Sequence, residues 1–284
     1  MSDEYPKFTA AAIQAAPVFL NREATVDKAC ALIAEAASQG ARLIVFPETW
    51  VPAYPFWIAT PQIFTPAAFV ELFKNSVEVP SDATDALCRA AAKAGTYVVI
   101  GINERDAESK GTLYNSLLYI DDAGKVLGVH RKLMPSFTER TIWGWGDGSG
   151  LQVFDTPLGR LGGLICWEHE MTLVKYALYA KGEQVHASVW PAWSMQNSHI
   201  DFGCRQYAYD LLPSGYWGGN HHRIRRAYHF VKAALEHGEI EFAPDGITII
   251  PTSPPEAKND CSQTLPEKPL AKQQQFPRRQ LELL

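Results

Sequence analysis

Three places in the sequence put a chemically able side chain at the end of an apolar run. Gly162-Gly163-Leu164-Ile165 leads into Cys166, followed by Trp167, Glu168 and His169. A thiol at the C-terminal end of a strand can project into a crevice, near the backbone N–H groups of the turn that follows. Thiolate is the nucleophile, and a pKa near 8.5 must be lowered for fast reaction at neutral pH. Ile44-Val45-Phe46-Pro47 leads into Glu48. Burial there would raise the carboxyl pKa and suit it to general base or acid work. Val129-His130-Arg131 leads into Lys132, a cation able to stabilise developing negative charge. Each has an ordinary alternative: a small buried hydrophobe at Cys166, a solvated carboxylate at Glu48 and an edge-strand charge run at Lys132. Together, on one contiguous sheet, they would bring a nucleophile, a carboxylate base and a cation to one edge. That is the equipment for acyl-type chemistry at a C–N bond.

The elements needed to hold them follow from the pattern. Phe8 to Gln14 reads as a strand and Glu23 to Gln39 as a helix, with Val26, Cys30, Ile33, Ala34 and Ala37 on one face and Gly40 closing it. Arg42 to Phe46 is a short buried strand, which completes a βαβ unit. Ser81 to Ala94 is a helix capped by Ser81 or Asp82, and Tyr97 to Gly101 is the next strand. Leu113 to Ile120 and Lys125 to His130 flank the turn Asp121-Asp122-Ala123-Gly124, a hairpin signal. Leu151 to Phe154, Leu161 to Ile165 and Gln184 to Trp190 are further strands. Met171 to Ala180 and Asp201 to Asp210 are helices. The alternation describes an α/β or layered α+β fold.

The chain has 284 residues, with 46% hydrophobic and 20% charged residues and a net charge of −5. It has core enough for a globular domain, and it has no basic run to favour nucleic acid or an anionic membrane. The start, Met1 to Ala10, lacks the apolar run of a signal peptide, and no uncharged apolar stretch reaches the ~18 residues of a bilayer span. Cys30, Cys88, Cys166, Cys204 and Cys261 are scattered with no CxxC, which fits a reduced, cytoplasmic protein. No zinc-type spacing occurs, and His221-His222 alone makes no metal site.

Charge is uneven. Residues 1–210 carry −6, whereas residues 211–284 carry +1 and 8 of the 19 prolines. Ile224 to His237 has helical periodicity, and Glu239 to Ile250 could form a hairpin at Pro244-Asp245-Gly246. From Pro251 onward the chain is rich in Pro, Gln and charge.

Over residues 8–210 the sequence closely resembles the nitrilase (carbon-nitrogen hydrolase) superfamily, specifically its nitrilase branch. The segments that carry the resemblance are FPETWVPAYPFW (46–57), GTLYNSLLYID (111–121), HRKLMPSFTERTIWGWGDGS (130–149), TPLGRLGGLICWEHEM (156–171) and GEQVHASVWPAW (182–193). The resemblance implies an α-β-β-α sandwich with an atypical C-terminal part. It also implies a Glu48–Lys132–Cys166 catalytic triad, supported by Glu139. Trp167 and Glu168, directly after the cysteine, point to members that hydrolyse nitriles. Tyr54, Trp57, Trp167 and Trp190 are the implied pocket residues, with plain packing as the alternative for these aromatics. The reaction implied is hydrolysis of an organic nitrile to carboxylic acid and ammonia, through a thioimidate and a thioester on cysteine. It needs no metal or organic cofactor. The partners implied are a small nitrile, water and further copies of the chain in a homodimer or larger homo-oligomer, without nucleic acid or membrane. Rival readings are a cyanide hydratase or dihydratase, and a catalytically impaired homologue serving as an assembly subunit. The buried apolar strand that the family has after residue 210 finds no counterpart here, while the family's PDG turn recurs at Pro244 to Gly246, as a remnant or by coincidence. Residues 211–284 accordingly read as a divergent or non-homologous tail, partly disordered, outside a catalytic domain of residues 1–210.

Overall fold

A computed structural model describes residues 6–59, 66–109, 111–191 and 246–251. These residues build two sheets facing one another. In the larger sheet, β1 (Thr9–Gln14), β2 (Ala41–Val45), β3 (Tyr97–Arg105), β4 (Leu113–Ile120), β5 (Val126–Arg131) and β9 (Gly246–Pro251) run in the order β5-β4-β3-β2-β1-β9. The smaller sheet is β6 (Phe154–Thr156), β7 (Gly159–Ile165) and β8 (Val185–Val189), in chain order. β1, β2 and β3 are parallel, as are β7 and β8, so helices must cross over between them. β4 pairs antiparallel with both β3 and β5.

α1 (Arg22–Ser38) and α3 (Asp82–Ala94) cover the outer face of the larger sheet. Asn21 caps α1 by accepting from the Ala24 N–H. Ser81 and Thr84 form a reciprocal capping box on α3, and Gly95 ends that helix in the left-handed region that its lack of Cβ permits. Val26, Ala29 and Ile33 of α1 and Leu87 and Ala91 of α3 pack on Ile44, Val98, Ile100 and Leu118 of the sheet. The opposite sheet face presents Leu43, Tyr97, Val99, Leu117 and Tyr119 to Leu161, Ile165, Ala187 and Val189 of the smaller sheet. α4 (Thr172–Ala180) connects β7 to β8. With one face of the smaller sheet taken, this crossover supplies the fourth layer of the α-β-β-α arrangement.

The structure departs from the sequence expectation in several places. The catalytic candidates lie at the ends of strands in two facing sheets, not along one contiguous sheet edge. β3 continues past Gly101, where the sequence reading ended it, through Asn103 and Glu104 to Arg105. They stay in the strand because they are satisfied there. The Asn103 amide donates to the carbonyls of Val51 and Ala53, at 3.3 and 2.9 Å, and Glu104 takes Ser116 and Arg131 as partners. Residues 148–150 form a 3₁₀ turn capped by Asp147, so the strand expected from Leu151 starts only at Phe154. A further helix, α2 (Pro66–Asn75), was not anticipated. It buries Leu72 in a separate cluster with Tyr54, Trp57 and Trp143.

Gly246–Pro251, within the segment read as a tail, pairs antiparallel with β1 from Thr9↔Pro251 to Gln14↔Gly246. The helices expected at Asp201–Asp210 and Ile224–His237 lie outside the described residues. The chain divides into compact units Met1–Ser253 and Pro254–Leu284, and the second lies wholly outside the described residues. Among the described residues no helix is long and apolar enough to cross a membrane.

Candidate active site

Glu48 follows β2 in a turn that lies against β3. Pro47 and a left-handed Thr49 (φ 45°) bracket it, and the Val51 N–H donates to the Gly101 carbonyl at 3.1 Å. A Cβ on Gly101 would fall 2.2 Å from the Pro47 carbonyl oxygen, so this close approach requires glycine. Across the facing sheet, the Glu48 N–H donates to the Trp190 carbonyl at 3.2 Å.

Lys132 follows β5, and its N–H donates to the Asn115 carbonyl at 2.7 Å. Its ammonium sits between two carboxylates, 2.9 Å from Glu48 Oε1 and 2.8 Å from Glu139 Oε2. All three side chains are buried. Glu139 stands in the 3₁₀ turn Phe137–Thr141, where it also accepts from the Ser136 N–H at 2.7 Å and from Tyr54 Oη at 2.8 Å. Asn115 Nδ2 donates to Glu48 Oε1 at 2.6 Å. Glu48 Oε1 is therefore occupied twice. Oε2 is buried with no hydrogen-bond partner among the described residues.

Cys166 ends β7 at the first position of the 3₁₀ turn Cys166–Glu170. Its φ of 50° is in the left-handed region, sparsely used by non-glycine residues and typical of strained functional positions. Glu168, fully buried, ties this turn to the lysine segment. Its Oε2 accepts from the Ile165 N–H and its Oε1 from the Leu133 N–H, both at 2.8 Å, and His130 Nε2 lies 2.9 Å from Oε2. One carboxylate thus spans the end of β7 and the residue after Lys132.

Burial raises the Glu48 carboxyl to about 7. Lys132 opposes this rise, and the neighbouring Glu139 reinforces it. For Lys132, burial alone would depress the ammonium pKa, but Glu48, Cys166 and Glu139 outweigh it and hold the group charged, with its pKa above the usual range. The Cys166 thiol is pushed well up, first by burial and then by Glu48, against the pull of Lys132 and a hydrogen bond from the Trp167 backbone. The sequence suggested a thiol that must be acidified to react. The resting site instead holds the thiol protonated beside a carboxylate poised near neutrality. The negative neighbours outweigh the single cation, so the proton must leave to a base during attack.

The three candidate residues Glu48, Lys132 and Cys166 are brought together with Glu139. The aromatic candidates are not equivalent. Tyr54 touches the site through Glu139. Trp57 is buried in the cluster with Tyr54, Ile142 and Trp143. Trp167 is half exposed, and Trp190 stacks on His169 with ring centroids 5.5 Å apart. Asn115 and the pairing of His130 with Glu168 were missed from sequence. Asn115 lies in the recognised GTLYNSLLYID segment, but a strand-interior asparagine carries no signal until its strand is laid beside Glu48. Among the described residues, no group of three or more His, Cys, Asp or Glu is placed to hold a metal ion.

A pair of facing sheets with a buried Glu–Lys–Glu cluster beside a strand-end cysteine is the arrangement that the resemblance to carbon-nitrogen hydrolases led us to expect. The profile of that family, described as carbon-nitrogen hydrolase, matches residues 9–211, and the chain belongs to this family. Within it the sequence falls with the nitrilase branch. A nitrilase of Bacillus sp. (strain OxB-1) is 44% identical over 203 residues, covering 71% of this chain and 58% of that protein. A bifunctional nitrilase/nitrile hydratase of Nicotiana tabacum is 41% identical over 212 residues, covering 70% of this chain and 60% of that protein. The matched part thus spans little more than half the length of these relatives. In fold the chain is similar to an amidase from Nesterenkonia sp., with a TM-score of 0.51 at 19% identity, over 69% of this chain and 71% of that one.

Proposed function

We propose that the chain hydrolyses an organic nitrile to the carboxylic acid and ammonia. Cys166 acts as nucleophile, Glu48 as general base and acid, and Lys132 as the cation that stabilises charge. The observation that carries this reading is the division of labour within Glu48. Oε1 is pinned by Lys132 and Asn115, and Oε2 is buried and unoccupied among the described residues.

Oε2 takes the thiol proton as the Cys166 sulfur adds to the nitrile carbon. Glu48 passes that proton on to the nitrogen, which leaves a neutral thioimidate and a carboxylate ready to act again. Negative charge developing on nitrogen faces Lys132 and the Trp167 backbone N–H. Water, deprotonated by Glu48, adds to the thioimidate carbon and Glu48 returns that proton to the nitrogen; the new hydroxyl then gives its hydrogen through Glu48 to the same nitrogen as the C=O forms and ammonia leaves. The thioester that remains is opened by a second water in the same way, releasing the acid and restoring the thiol. A carboxyl near 7 can both accept and return a proton at neutral pH. Glu139, held by Tyr54 and the Ser136 N–H, keeps Lys132 in place through both halves.

We further propose that residues 1–210 form the catalytic domain, that Tyr54, Trp57, Trp167 and Trp190 shape the substrate side, and that the chain works in the cytoplasm as a homodimer or larger homo-oligomer. The sequence similarity to nitrilases supports nitriles over amides as the substrate class.

The test is ammonia release from a panel of aliphatic, aromatic and arylacetonitrile substrates, with cyanide included. Release is expected from at least one organic nitrile and not from Cys166→Ala. Release from cyanide alone would replace the substrate assignment. No release from folded protein would leave the reading of an assembly subunit, and release surviving Cys166→Ala would remove the mechanism.

A further inference from the structure

Beside the cysteine runs a line of polar groups that the proposed reaction does not use. His169 Nδ1 lies 2.7 Å from the Cys166 carbonyl oxygen, and its Nε2 lies 3.0 Å from His186 Nε2. His186 Nδ1 in turn lies 2.8 Å from Glu183 Oε1. Glu183 and His169 are buried, whereas the His186 side chain is 27% exposed. The line is built by the strand register. β8 runs beside β7 with His186 opposite Gly162, and a Cβ on Gly162 would fall 2.2 Å from Glu183 Oε1. Gly162 therefore leaves the space that the Glu183 carboxylate fills.

The protons on this line can be counted. A carbonyl oxygen only accepts, so His169 Nδ1 must carry a hydrogen. Burial, helped by His186 and Lys175, pulls the His169 pKa down to about 3 and keeps the ring neutral. Its Nε2 is therefore a lone pair, and the hydrogen across the 3.0 Å gap belongs to His186 Nε2. The last gap, from His186 Nδ1 to Glu183, needs a third hydrogen. An imidazolium donating to a carboxylate supplies it with the stronger, charge-assisted bond.

The far end of the line is a peptide group, not a side chain. In a trans peptide the C=O and N–H point in opposite directions. Holding the Cys166 carbonyl toward His169 therefore turns the Trp167 N–H toward the cysteine sulfur, where its hydrogen bond favours the thiolate. We propose that Glu183, an imidazolium His186 and a neutral His169 are positioning residues that lock the Cys166–Trp167 peptide, so that its N–H faces the thiolate and the charge developing on substrate. The inference rests on the nitrile-hydrolysing reading only for what the locked peptide stabilises; the lock itself concerns the nucleophile.

The test uses three measurements on the full chain. The first is ¹⁵N NMR of histidine-labelled protein, with His169 and His186 assigned by substitution. The second is the rate of iodoacetamide alkylation, read by mass spectrometry at the Cys166 peptide. The third is kcat and KM on the best nitrile. His186 should show two protonated ring nitrogens, and His169 should show a hydrogen on Nδ1 only. His186→Ala and Glu183→Ala should each slow alkylation and lower kcat by about 10–100-fold, the range for a reacting group displaced by about an ångström, with KM changed less than threefold. Glu183→Gln should remove the imidazolium signature yet keep alkylation within about threefold of wild type, because its amide can donate to a neutral His186 and preserve the line. His169 found as the Nε2–H tautomer, a neutral His186 in the wild type, or full alkylation rate and kcat in both alanine variants would each overturn the proposal. If the alanine variants slow alkylation while the wild-type protein releases no ammonia from any nitrile, the positioning line stands and the nitrile reading falls.

Discussion

The chemistry of the site turns on a few charges in a small buried volume. Lys132 faces two carboxylates, and an unbalanced negative charge in low dielectric is relieved by leaving one of them partly protonated. Glu48 has its pKa raised by burial, and its second oxygen has no hydrogen-bond partner among the described residues, whereas both Glu139 oxygens are engaged, by Tyr54 at one and by Lys132 and the Ser136 N–H at the other. If Glu48 is the base, kcat/KM should fall on the acid side with an apparent pKa near 7, and Glu48→Gln should lower it by about 10²–10⁴-fold. Initial rates across pH 5 to 9 check both. The stability consequence has a definite sign. The Glu48 pKa is raised on folding, so its contribution is full below the ordinary carboxyl range and is lost as pH rises through about 7. Glu48→Gln should therefore gain more stability relative to wild type at pH 8 than at pH 5, measured by urea unfolding at the two values.

At the scale of elements, the site is a junction of strand ends from two sheets, and Glu168 is the clasp. Its carboxylate accepts backbone N–H groups from Ile165 and Leu133, next to Cys166 and Lys132 respectively. Glu168→Gln keeps the volume but turns an NH₂ toward one of those donors. A loss of about 1–3 kcal/mol in urea unfolding is expected, with a matching fall in ammonia release. A fully stable and active variant would deny Glu168 this role. The residue types were legible in the chain: cysteine, glutamate and lysine each follow an apolar run, and the helices carry their caps and periodicity. Asn115, Tyr54 and Glu168 gave no local signal for their partners, because their hydrogen bonds reach across 67, 85 and 35 residues. The polar end of β3 was misjudged for the same reason, since Asn103 is satisfied by carbonyls 50 and 52 residues away.

At the scale of the whole molecule, two surfaces make predictions. β9 covers the outer edge of β1, so the amides of Thr9–Gln14 should exchange slowly with deuterium. Removing residues 246–284 should leave β1 at the sheet edge and speed exchange at its alternate, outward-facing amides. Unchanged exchange would show that this pairing does not hold in solution. The second surface is α4, which follows the cysteine turn and exposes Leu173 (80%) and Tyr176 (65%). Large apolar groups side by side on one helix are unusual on a surface that faces only water. If they join copies of the chain in the proposed homo-oligomer, Leu173→Glu with Tyr176→Glu should reduce the mass seen by light scattering toward that of a single chain.

The sequence by itself determined the family and, α2 apart, the order of elements through α4 and β8, and it singled out Glu48, Lys132 and Cys166 as the candidates. These depend on local periodicity, caps and contiguous motifs that survive without knowledge of contacts. Only the tertiary structure decided which oxygen of Glu48 is available, that burial and Glu48 push the Cys166 thiol pKa up and not down, that Glu168 spans two sheets, and that Glu183, His186 and His169 form a line to the Cys166 carbonyl. It also decided that Gly246–Pro251, inside a stretch composed unlike the rest, lies against β1. Each of these is a property of groups distant in the chain, set by burial and by the sum of neighbouring charges, and neither quantity exists until the strands are side by side.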